Sequence, residues 1–142
     1  MNIDGVENGI VIDHIRPGDS MRLYYLLGLD DLDCSVAIIK NVDSRKYGRK
    51  DIIKIDQEID LDLDALGYIH PRITVNMVQN RELLAKKHLE LPSKLTNIVK
   101  CKNPRCITSV EDEVDHVFNL VDVQRELYRC AYCEVAAEKH RL

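Results

Sequence analysis

Four of the five cysteines in the sequence form two close pairs near its C-terminal end. Cys101 and Cys106 are separated by four residues, Cys130 and Cys133 by two, and 23 residues lie between the pairs. Two such pairs on separate turns, joined by enough chain for a small antiparallel sheet, are typical of a tetrahedral four-thiolate metal site. Zinc is the favoured ion, with iron second, and four protein ligands leave no position for a catalytic water. The pattern predicts one structural Zn²⁺ per chain; the alternative is free or disulfide-bonded cysteines.

The region around these cysteines is small enough to need such a metal. The whole chain contains one Phe and no Trp, so residues 93–142 alone could bury only a thin core. A domain of this size usually needs disulfides or a bound metal for stability, and the metal would supply that stability here. The segment 91–95 contains Pro92, which interrupts strand pairing, and we interpret this segment as a linker. We therefore predict an α+β domain over residues 1–92 and a metal-bound β domain over residues 93–142.

The charge balance argues against a general nucleic-acid binder. The net charge is −4, and a protein that binds nucleic acid normally carries a basic face with aromatic side chains for stacking. The N-terminus lacks a basic segment followed by an apolar run, and no apolar run approaches the length of a membrane span. We therefore expect no nucleic-acid partner and no membrane association. Reduced cysteines without an export signal indicate a cytoplasmic protein.

Hydrophobic periodicity predicts an alternation of strands and helices in the first domain. Apolar or alternating runs predict strands at residues 9–15, 34–39, 49–55, 72–78 and 83–89. Helical spacing predicts helices over 20–27 and 60–68, and the polar segment 41–48 is interpreted as a hairpin loop. This order is that of a ferredoxin-like fold, an antiparallel sheet with both helices on one face. In the second domain, residues 117–123 predict a strand, and Cys34 is interpreted as a core residue.

No arrangement of residues in the sequence predicts catalysis. None of the histidines lies beside a cysteine in a nucleophile motif, and we interpret them as ordinary surface or core residues: His14, His70, His88, His116 and His140. There is no glycine-rich phosphate loop. Asp60, Asp62 and Asp64 are more easily explained as the start of a helix. We therefore predict that the chain is not an enzyme.

Polar residues on several predicted strands indicate a binding site instead. In a ferredoxin-like sheet they could converge on the open face: Asp13, His14, Lys50, Lys54, Asn76 and Lys86. Lysines can hold a polyphosphate as point charges, and an aspartate can accept hydrogen bonds from ribose hydroxyls. The alternatives are a solvated basic edge over residues 45–54 or pairing of the lysines with Asp51, Asp56 or Glu82. Asp51 should face away from Lys50 and Lys54, which weakens the second alternative.

Several motifs resemble one family over nearly the whole chain. They are 9–15 (GIVIDHI), 48–55 (GRKDIIKI), 74–76 (TVN), Leu91-Pro92, and the cysteine spacing ending in Tyr132-Cys133-Glu134. With these motifs the chain resembles the regulatory chain of aspartate carbamoyltransferase. The resemblance implies a non-catalytic partner of catalytic trimers in pyrimidine biosynthesis. It also implies an N-terminal domain that binds CTP, UTP and ATP as effectors, a zinc domain that docks on the catalytic chain, and regulatory dimers formed through the nucleotide domains.

The resemblance also implies roles for individual residues. Asp13 would lie at the ribose, His14 at the phosphates, and Lys54 at both base and ribose, and three more fall at effector-site positions: Lys50, Asn76 and Lys86. Val6 and the Arg81 backbone would flank the base. Contacts to the catalytic chain would involve Asn103, Arg105 and Glu134. Arg81 replaces an aromatic residue, and Arg105 an asparagine, of the best-known member. The alternative functions are a stand-alone zinc-ribbon module that binds RNA or a protein and, less favoured, an enzyme.

Overall fold

Short runs rich in β-branched residues form the strands of two antiparallel sheets in the computed structural model, which describes residues 3–137. The first sheet contains β1 (Gly9–Ile15), β2 (Val36–Ser44), β3 (Gly48–Ile55), β4 (Thr74–Gln79) and β5 (Glu82–His88). The second contains β6 (Lys94–Thr96), β7 (Val117–Asp122) and β8 (Leu127–Cys130). The helices are α1 (Ser20–Leu26), α2 (Leu63–Ile69) and α3 (Ile107–Val110), with a 3-10 turn at Leu29–Asp31. Among the residues that the structure describes, no helix has the length and apolar character needed to cross a membrane.

The first sheet has the strand order β2-β3-β1-β4-β5, with every neighbouring pair antiparallel. Its first four strands, with α1 and α2, follow the ferredoxin-like order, and β5 is added as a hairpin. Leu23 of α1 and Leu66 of α2 pack in one core with alternate residues of the strands, among them Ile12 and Ile53. Both helices therefore cover the same face. The predicted fold class, including a second small antiparallel sheet, is confirmed.

The opposite face of the first sheet combines apolar and polar residues. Val6, Val11, Ile52 and Val78 form a small buried cluster there. Polar side chains on the same face are also buried: Asp13, Lys54 and Asn76. Burial of polar groups is costly unless they are paired, so a ligand-binding site is most expected on this face of the sheet.

Helix α2 contributes to the cores of both sheets. Leu66 packs in the first core, and Tyr68 packs in the second with β-strand residues that include Phe118 and Tyr128. The Tyr68 and Tyr128 rings meet edge to face, with centroids 5.2 Å apart and an interplanar angle of 88°. Gly67, between Leu66 and Tyr68 in the helix, lies close to the backbone of Glu90. A Cβ at this position would lie 2.6 Å from the Glu90 carbonyl oxygen. The two sheets are therefore joined through one helix.

Two predicted loop segments differ from the structure. The predicted hairpin loop over 41–48 is largely strand, because β2 continues to Ser44 past an irregularity after Ile39, where Asn41 has a φ of 62°. The predicted linker over 91–95 overlaps β6, which pairs with β7. Polar composition indicated a loop at the first place, yet the exposed face of β2 tolerates polar residues. At the second place Pro92 indicated an interruption, but it lies before β6 and leaves the pairing of Lys94–Thr96 intact. The second helix begins at Leu63 rather than at residue 60, since the Asp62 side chain caps it by accepting from the Ala65 N–H.

The segment before α1 is fastened to β3 by a buried carboxylate. Asp51 is 0% exposed and accepts hydrogen bonds from the Ser20 hydroxyl at 2.6 Å and from the N–H groups of Gly18 and Asn41 at 3.1 and 2.8 Å. Burial alone would raise the pKa of this carboxyl, but the hydrogen bonds outweigh it and the pKa lies below its ordinary value. Asp51 is thus occupied on the helix-covered side and does not pair with Lys50 or Lys54, as predicted from strand alternation.

Replacing Asp51 by Asn should therefore destabilise the protein by about 2–4 kcal/mol at pH 7, because buried donors lose a charged acceptor. Urea denaturation measures this difference. The folded pKa lies below the unfolded value of about 3.9, so the carboxylate contributes fully above that pH, and the difference should shrink as the pH falls through the folded pKa. The exposed Asp43, paired with Arg49 at 3.0 Å, provides a control, and Asp43→Asn should change stability by less than about 0.5 kcal/mol. Equal stability of parent and Asp51→Asn at pH 7 would contradict this role.

Candidate functional site

The four paired cysteines converge at one end of the second sheet. Their sulfur atoms all lie within 4.8 Å of one another, with Cys101 and Cys133 at 3.6 Å and Cys106 and Cys130 at 3.7 Å. A disulfide needs about 2.05 Å, so these thiols are free. Tetrahedral zinc with bonds of about 2.3 Å places its sulfur ligands about 3.8 Å apart. The observed separations therefore fit a four-coordinate thiolate site.

Local hydrogen bonds favour the negatively charged form of two of these sulfurs, those of Cys106 and Cys133. The Thr108 hydroxyl donates to the Cys106 sulfur at 3.1 Å and lowers the pKa of that thiol. A backbone N–H at Val135 lowers the pKa of Cys133 to about 6, whereas burial raises that of Cys101 to about 12. A bound cation would stabilise all four groups as thiolates. Hydrogen-bond donors to the sulfur ligands are typical of metal–thiolate sites.

On the first sheet, the strand register brings four residues into one row across the face opposite the helices. Lys54 of β3 is paired with Val11 of β1, Val11 with Asn76 of β4, and Asn76 with Lys86 of β5. Strands lie about 4.8 Å apart, so the row is about 14 Å long. It carries a lysine at each end and an amide in the middle.

Several polar side chains on this face already have hydrogen-bond or ion-pair partners within the protein. Lys50 Nζ lies 3.0 Å from Asp13 Oδ1, with side chains 13% and 2% exposed. Lys54 Nζ donates to the Asp4 carbonyl at 2.9 Å, which ties the N-terminal segment to the sheet. The Asn76 amide N–H donates to the Val11 carbonyl at 3.1 Å. The Asn76 Oδ1 atom is buried and, among residues 3–137, has no hydrogen-bond partner.

His14 lies where β1 departs from regular pairing. Its φ is 60°, a left-handed conformation that is uncommon for a residue other than glycine. Its N–H donates to Asp13 Oδ1 at 2.7 Å, and its ring Nδ1 lies 3.0 Å from Thr74 Oγ1. Burial lowers the pKa of His14, Asp13 raises it, and nearby lysines, including Lys86, lower it further. His14 is therefore neutral at pH 7 unless an anion approaches it.

A cavity of about 440 Å³ lies near the start of β1, and Asp4 in its wall accepts a hydrogen bond from Lys54. Its walls come from the N-terminal segment, the end of β3 and the β4–β5 turn: Ile3, Asp4, Gly5, Val6, Glu7, Asp56 and Arg81. The N-terminal segment is held there by hydrogen bonds from the Arg81 N–H to the Glu7 carbonyl and from the Glu7 N–H to Asp56. The cavity, the lysine row and His14 follow one another along the direction of β1. An elongated ligand with an anionic end matches this arrangement.

Comparisons with known proteins cover both halves of the chain. A family model described as "Aspartate carbamoyltransferase regulatory chain, allosteric domain" matches residues 1–90, and one described as the "metal binding domain" of that chain matches residues 93–142. The chain belongs to the family of aspartate carbamoyltransferase regulatory chains. Within this family it is a regulatory rather than a catalytic chain, and its second part is a metal-binding domain.

Curated members of the family align with nearly the full chain. The aspartate carbamoyltransferase regulatory chain of Clostridium botulinum strain Hall is 46% identical over 134 residues, covering 94% of this chain and 92% of the relative. That of Clostridium tetani is 46% identical over 135 residues, covering 94% of both. The regulatory chain of Bifidobacterium longum is 39% identical over 138 residues, covering 97% and 99%. The family resemblance indicated by the sequence motifs is confirmed.

The structure brings together the residues that family resemblance had assigned to an effector site. Lys54, Asn76 and Lys86 lie in one row, and the Asp13–Lys50 pair and His14 lie beside it. Two features were not expected from the sequence. Asp4 binds Lys54 through its backbone carbonyl, which leaves no signal in residue identity. Tyr47, whose ring packs against His14, is the one aromatic residue within the basic run and could have been noticed for that reason.

The three residues assigned to docking lie around the cysteine turns. Asn103 accepts a hydrogen bond from the Arg105 N–H at 3.1 Å, and Glu134 follows Cys133 directly with a φ of 64°. Arg105 and Glu134 are exposed. Exposed apolar side chains come from α3 and the second cysteine turn: Ile107, Val110 and Tyr132. Apolar groups beside an arginine are typical of a protein interface.

Of the five histidines named in the sequence, His140 lies outside the described residues.

Proposed function

We propose that the chain binds nucleotide effectors on the open face of its first sheet and thereby regulates aspartate carbamoyltransferase in pyrimidine biosynthesis. CTP, UTP and ATP are the proposed effectors, and the carbamoyl transfer itself is carried out by catalytic trimers. One observation carries the proposal: a row with Lys54 and Lys86 at its ends holds the buried Asn76, whose Oδ1 lacks a partner within residues 3–137. An unsatisfied buried acceptor between two cations is explained by a ligand that supplies donors and negative charge.

Each part of the ligand has a proposed contact. The base enters the cavity beside Val6 and Arg81, where backbone groups can read it. Lys54 serves base and ribose, and Asp13 accepts from a ribose hydroxyl with the lone pairs that its bonds to Lys50 and His14 leave free. The phosphates lie toward the His14 end of β1, and further cationic and amide groups complete the site: Lys50, Asn76 and Lys86. Charge-assisted hydrogen bonds of this kind are about twice as strong as neutral ones.

The second part of the proposal concerns metal and partners. We assign residues 1–92 to the nucleotide-binding domain and residues 93–142 to a domain that holds one structural Zn²⁺ and docks on the catalytic chain. Four thiolates suit zinc, and they leave no open coordination position for catalysis. The chain is further proposed to form cytoplasmic regulatory dimers through its nucleotide domains; reduced thiols suit that compartment, and β2 and β5 are the open edges of the described sheet.

Calorimetry on the isolated chain tests the nucleotide site. CTP and ATP should each bind once per chain, and a chain free of catalytic trimers should show no carbamoyl transfer. Mixing with an aspartate carbamoyltransferase catalytic chain, followed by size-exclusion chromatography, tests the partner. A stand-alone zinc-ribbon protein would neither bind nucleotides nor co-elute with that chain. Turnover that follows this chain through purification would contradict the regulatory assignment.

Nucleotide binding should tighten as the pH falls below about 6.5, because the anion restores the proton affinity that His14 has lost through burial and nearby lysines. Calorimetry in buffers of different ionisation enthalpy should detect proton uptake when CTP binds. The nucleotide phosphates also titrate in this range, so the comparison is between the parent and His14→Gln. The phosphate contribution is common to both proteins, and the His14 contribution should vanish in the variant. Identical proton uptake would show that His14 does not face the phosphates.

Arg105→Ala should weaken assembly with the catalytic chain about tenfold, because an exposed guanidinium beside apolar side chains suits an interfacial carboxylate. Metal content and nucleotide affinity should be unchanged. Arg125, in the β7–β8 turn, provides the control: it is an exposed arginine of the same sheet that lies outside the cysteine turns. Surface plasmon resonance on immobilised catalytic trimers gives the dissociation constants. Equal losses for Arg105→Ala and Arg125→Ala would mean that only general charge matters.

A further inference from the structure

A cluster of cations and one aromatic ring lies beyond His14, on the side away from the cavity. Tyr47 is in the turn between β2 and β3, and its ring meets the His14 ring edge to face with centroids 5.9 Å apart. The Arg72 guanidinium carbon lies 4.6 Å from the centroid of the Tyr47 ring, and Lys46 Nζ lies 5.4 Å from it. Tyr47 therefore links the β2–β3 turn, the end of β1 and the segment before β4.

Arg72 is held in position without being neutralised. It is exposed, and within residues 3–137 no carboxylate lies within ion-pair distance of it. A guanidinium above an aromatic face keeps its N–H donors, which lie in its own plane, available for an anion. Stacking also restricts the side chain before any ligand arrives. Less conformational entropy is then lost when Arg72 forms a bidentate contact.

The charges around this cluster do not balance. Lys46, Lys50 and Lys86 each lower the pKa of His14, and Asp13 is the one carboxylate among the described residues that raises it. Asp13 is already paired with Lys50 at 3.0 Å. Among residues 3–137, no ion pair joins Lys46, Arg72 or Lys86 to a carboxylate, and neighbouring cations of this kind repel one another unless a multiply charged anion lies between them.

We infer that Arg72, supported on the Tyr47 ring and assisted by Lys46, extends the nucleotide site to the terminal phosphate and makes the site prefer nucleoside triphosphates over monophosphates. The inference rests on the proposed nucleotide site and specifies the ligand's anionic end. Since the cavity lies at the start of β1 and Tyr47 beyond its end, a single phosphate next to the ribose would stop near His14. The second and third phosphates of a triphosphate would continue toward Arg72.

Calorimetry with CTP and CMP on the full chain tests this inference. The quantity of interest is the ratio of the CMP to the CTP dissociation constant. Arg72→Gln should lower CTP affinity about tenfold and leave CMP affinity unchanged, because it removes one charge-assisted contact to the outer phosphates. Tyr47→Leu keeps every charge but removes the platform, and it should lower the ratio by a smaller factor.

Arg49→Gln is the matched control. Arg49 lies at the base of the same hairpin, but its guanidinium is paired with Asp43 at 3.0 Å, so the ratio should stay at the parent's value. A parent that binds neither nucleotide would show that the nucleotide site is wrongly proposed. A parent that prefers CTP, together with an Arg72→Gln variant that keeps the same ratio, would overturn this inference alone. Equal weakening of CTP and CMP by Arg72→Gln would also overturn it, since that pattern indicates a merely structural effect.

Discussion

Cys130→Ser should abolish stoichiometric metal binding and unfold the second sheet, with a loss on the order of 10 kcal/mol of apparent metal-binding free energy. Cys130 ends β8 and is 1% exposed, and its sulfur lies 3.7 Å from that of Cys106. The core around it is small, and three of its eight buried members are themselves metal-site cysteines: Cys101, Cys106 and Cys130. A core of this size rarely supplies more than a few kcal/mol, so we expect the folding of the sheet to depend on the ion.

Hydrogen exchange with mass spectrometry, read together with metal content, measures this effect. Amide protection should be lost across β6, β7 and β8 and retained in β1 and β3, whose core is separate. Cys34→Ser is the matched control, because Cys34 is a free, partly buried thiol that packs against the first core. It should leave zinc content at one per chain. A metal-free Cys130→Ser protein with β7 and β8 still protected would contradict the structural role of the ion.

Lys54→Ala should weaken binding of both CTP and ATP by about 10- to 150-fold, which corresponds to the 1.5–3 kcal/mol of a hydrogen bond to a charged group. Lys54 is 8% exposed and lies at the β3 end of the polar row, next to Asp4 of the cavity wall, where base and ribose are proposed to meet. Its present partner is the Asp4 carbonyl at 2.9 Å, so the substitution also loosens the N-terminal segment that forms the cavity wall. Both effects act in the same direction, and calorimetry with each nucleotide measures their sum.

A second pair of variants separates direct contact from this loosening. Lys86 and Lys87 are neighbours on β5 and both are exposed, but strand alternation places Lys86 on the polar face beside Asn76 and Lys87 on the helix-covered side, where it lines a different cavity. Lys86→Ala should weaken binding about tenfold, and Lys87→Ala should not. Thermal denaturation should be the same for both. If Lys54→Ala and Lys86→Ala bind CTP as tightly as the parent does, the site lies elsewhere.

Features that depend on local spacing could be predicted from the sequence. The cysteine pairs converge as their spacing indicated, because each pair lies on its own tight turn. Strand alternation correctly placed Asp51 on the opposite side from Lys50 and Lys54. The ferredoxin-like order followed from the succession of strand and helix periods, since few antiparallel topologies satisfy it.

Features that depend on register or on distant partners could not be predicted. The row from Lys54 to Lys86 exists only because Val11 is paired with both Lys54 and Asn76, and a shift of one residue would move each side chain to the other face. β6 spans only Lys94–Thr96, and it forms because β7 lies beside it. The pairing of Arg72 with Tyr47 joins residues far apart in the sequence through a ring contact that has no periodic signature.

Nucleotides bound to this chain are proposed to change the activity of a separate catalytic chain. Helix α2, which joins the two cores through Leu66 and Tyr68, offers a physical connection between the sites. Coupling free energies between such sites are typically about 1–3 kcal/mol, or about 5- to 150-fold.

The most direct measurement is the carbamoyl-transfer rate of aspartate carbamoyltransferase catalytic trimers assembled with this chain, titrated with CTP and ATP at subsaturating aspartate. We expect the nucleotides to change the rate of the assembled complex and to leave the rate of trimers alone, and of complexes carrying Lys54→Ala, unchanged. A complex that forms and turns over but whose rate is the same with and without either nucleotide would show that this chain does not transmit nucleotide binding to the catalytic chain.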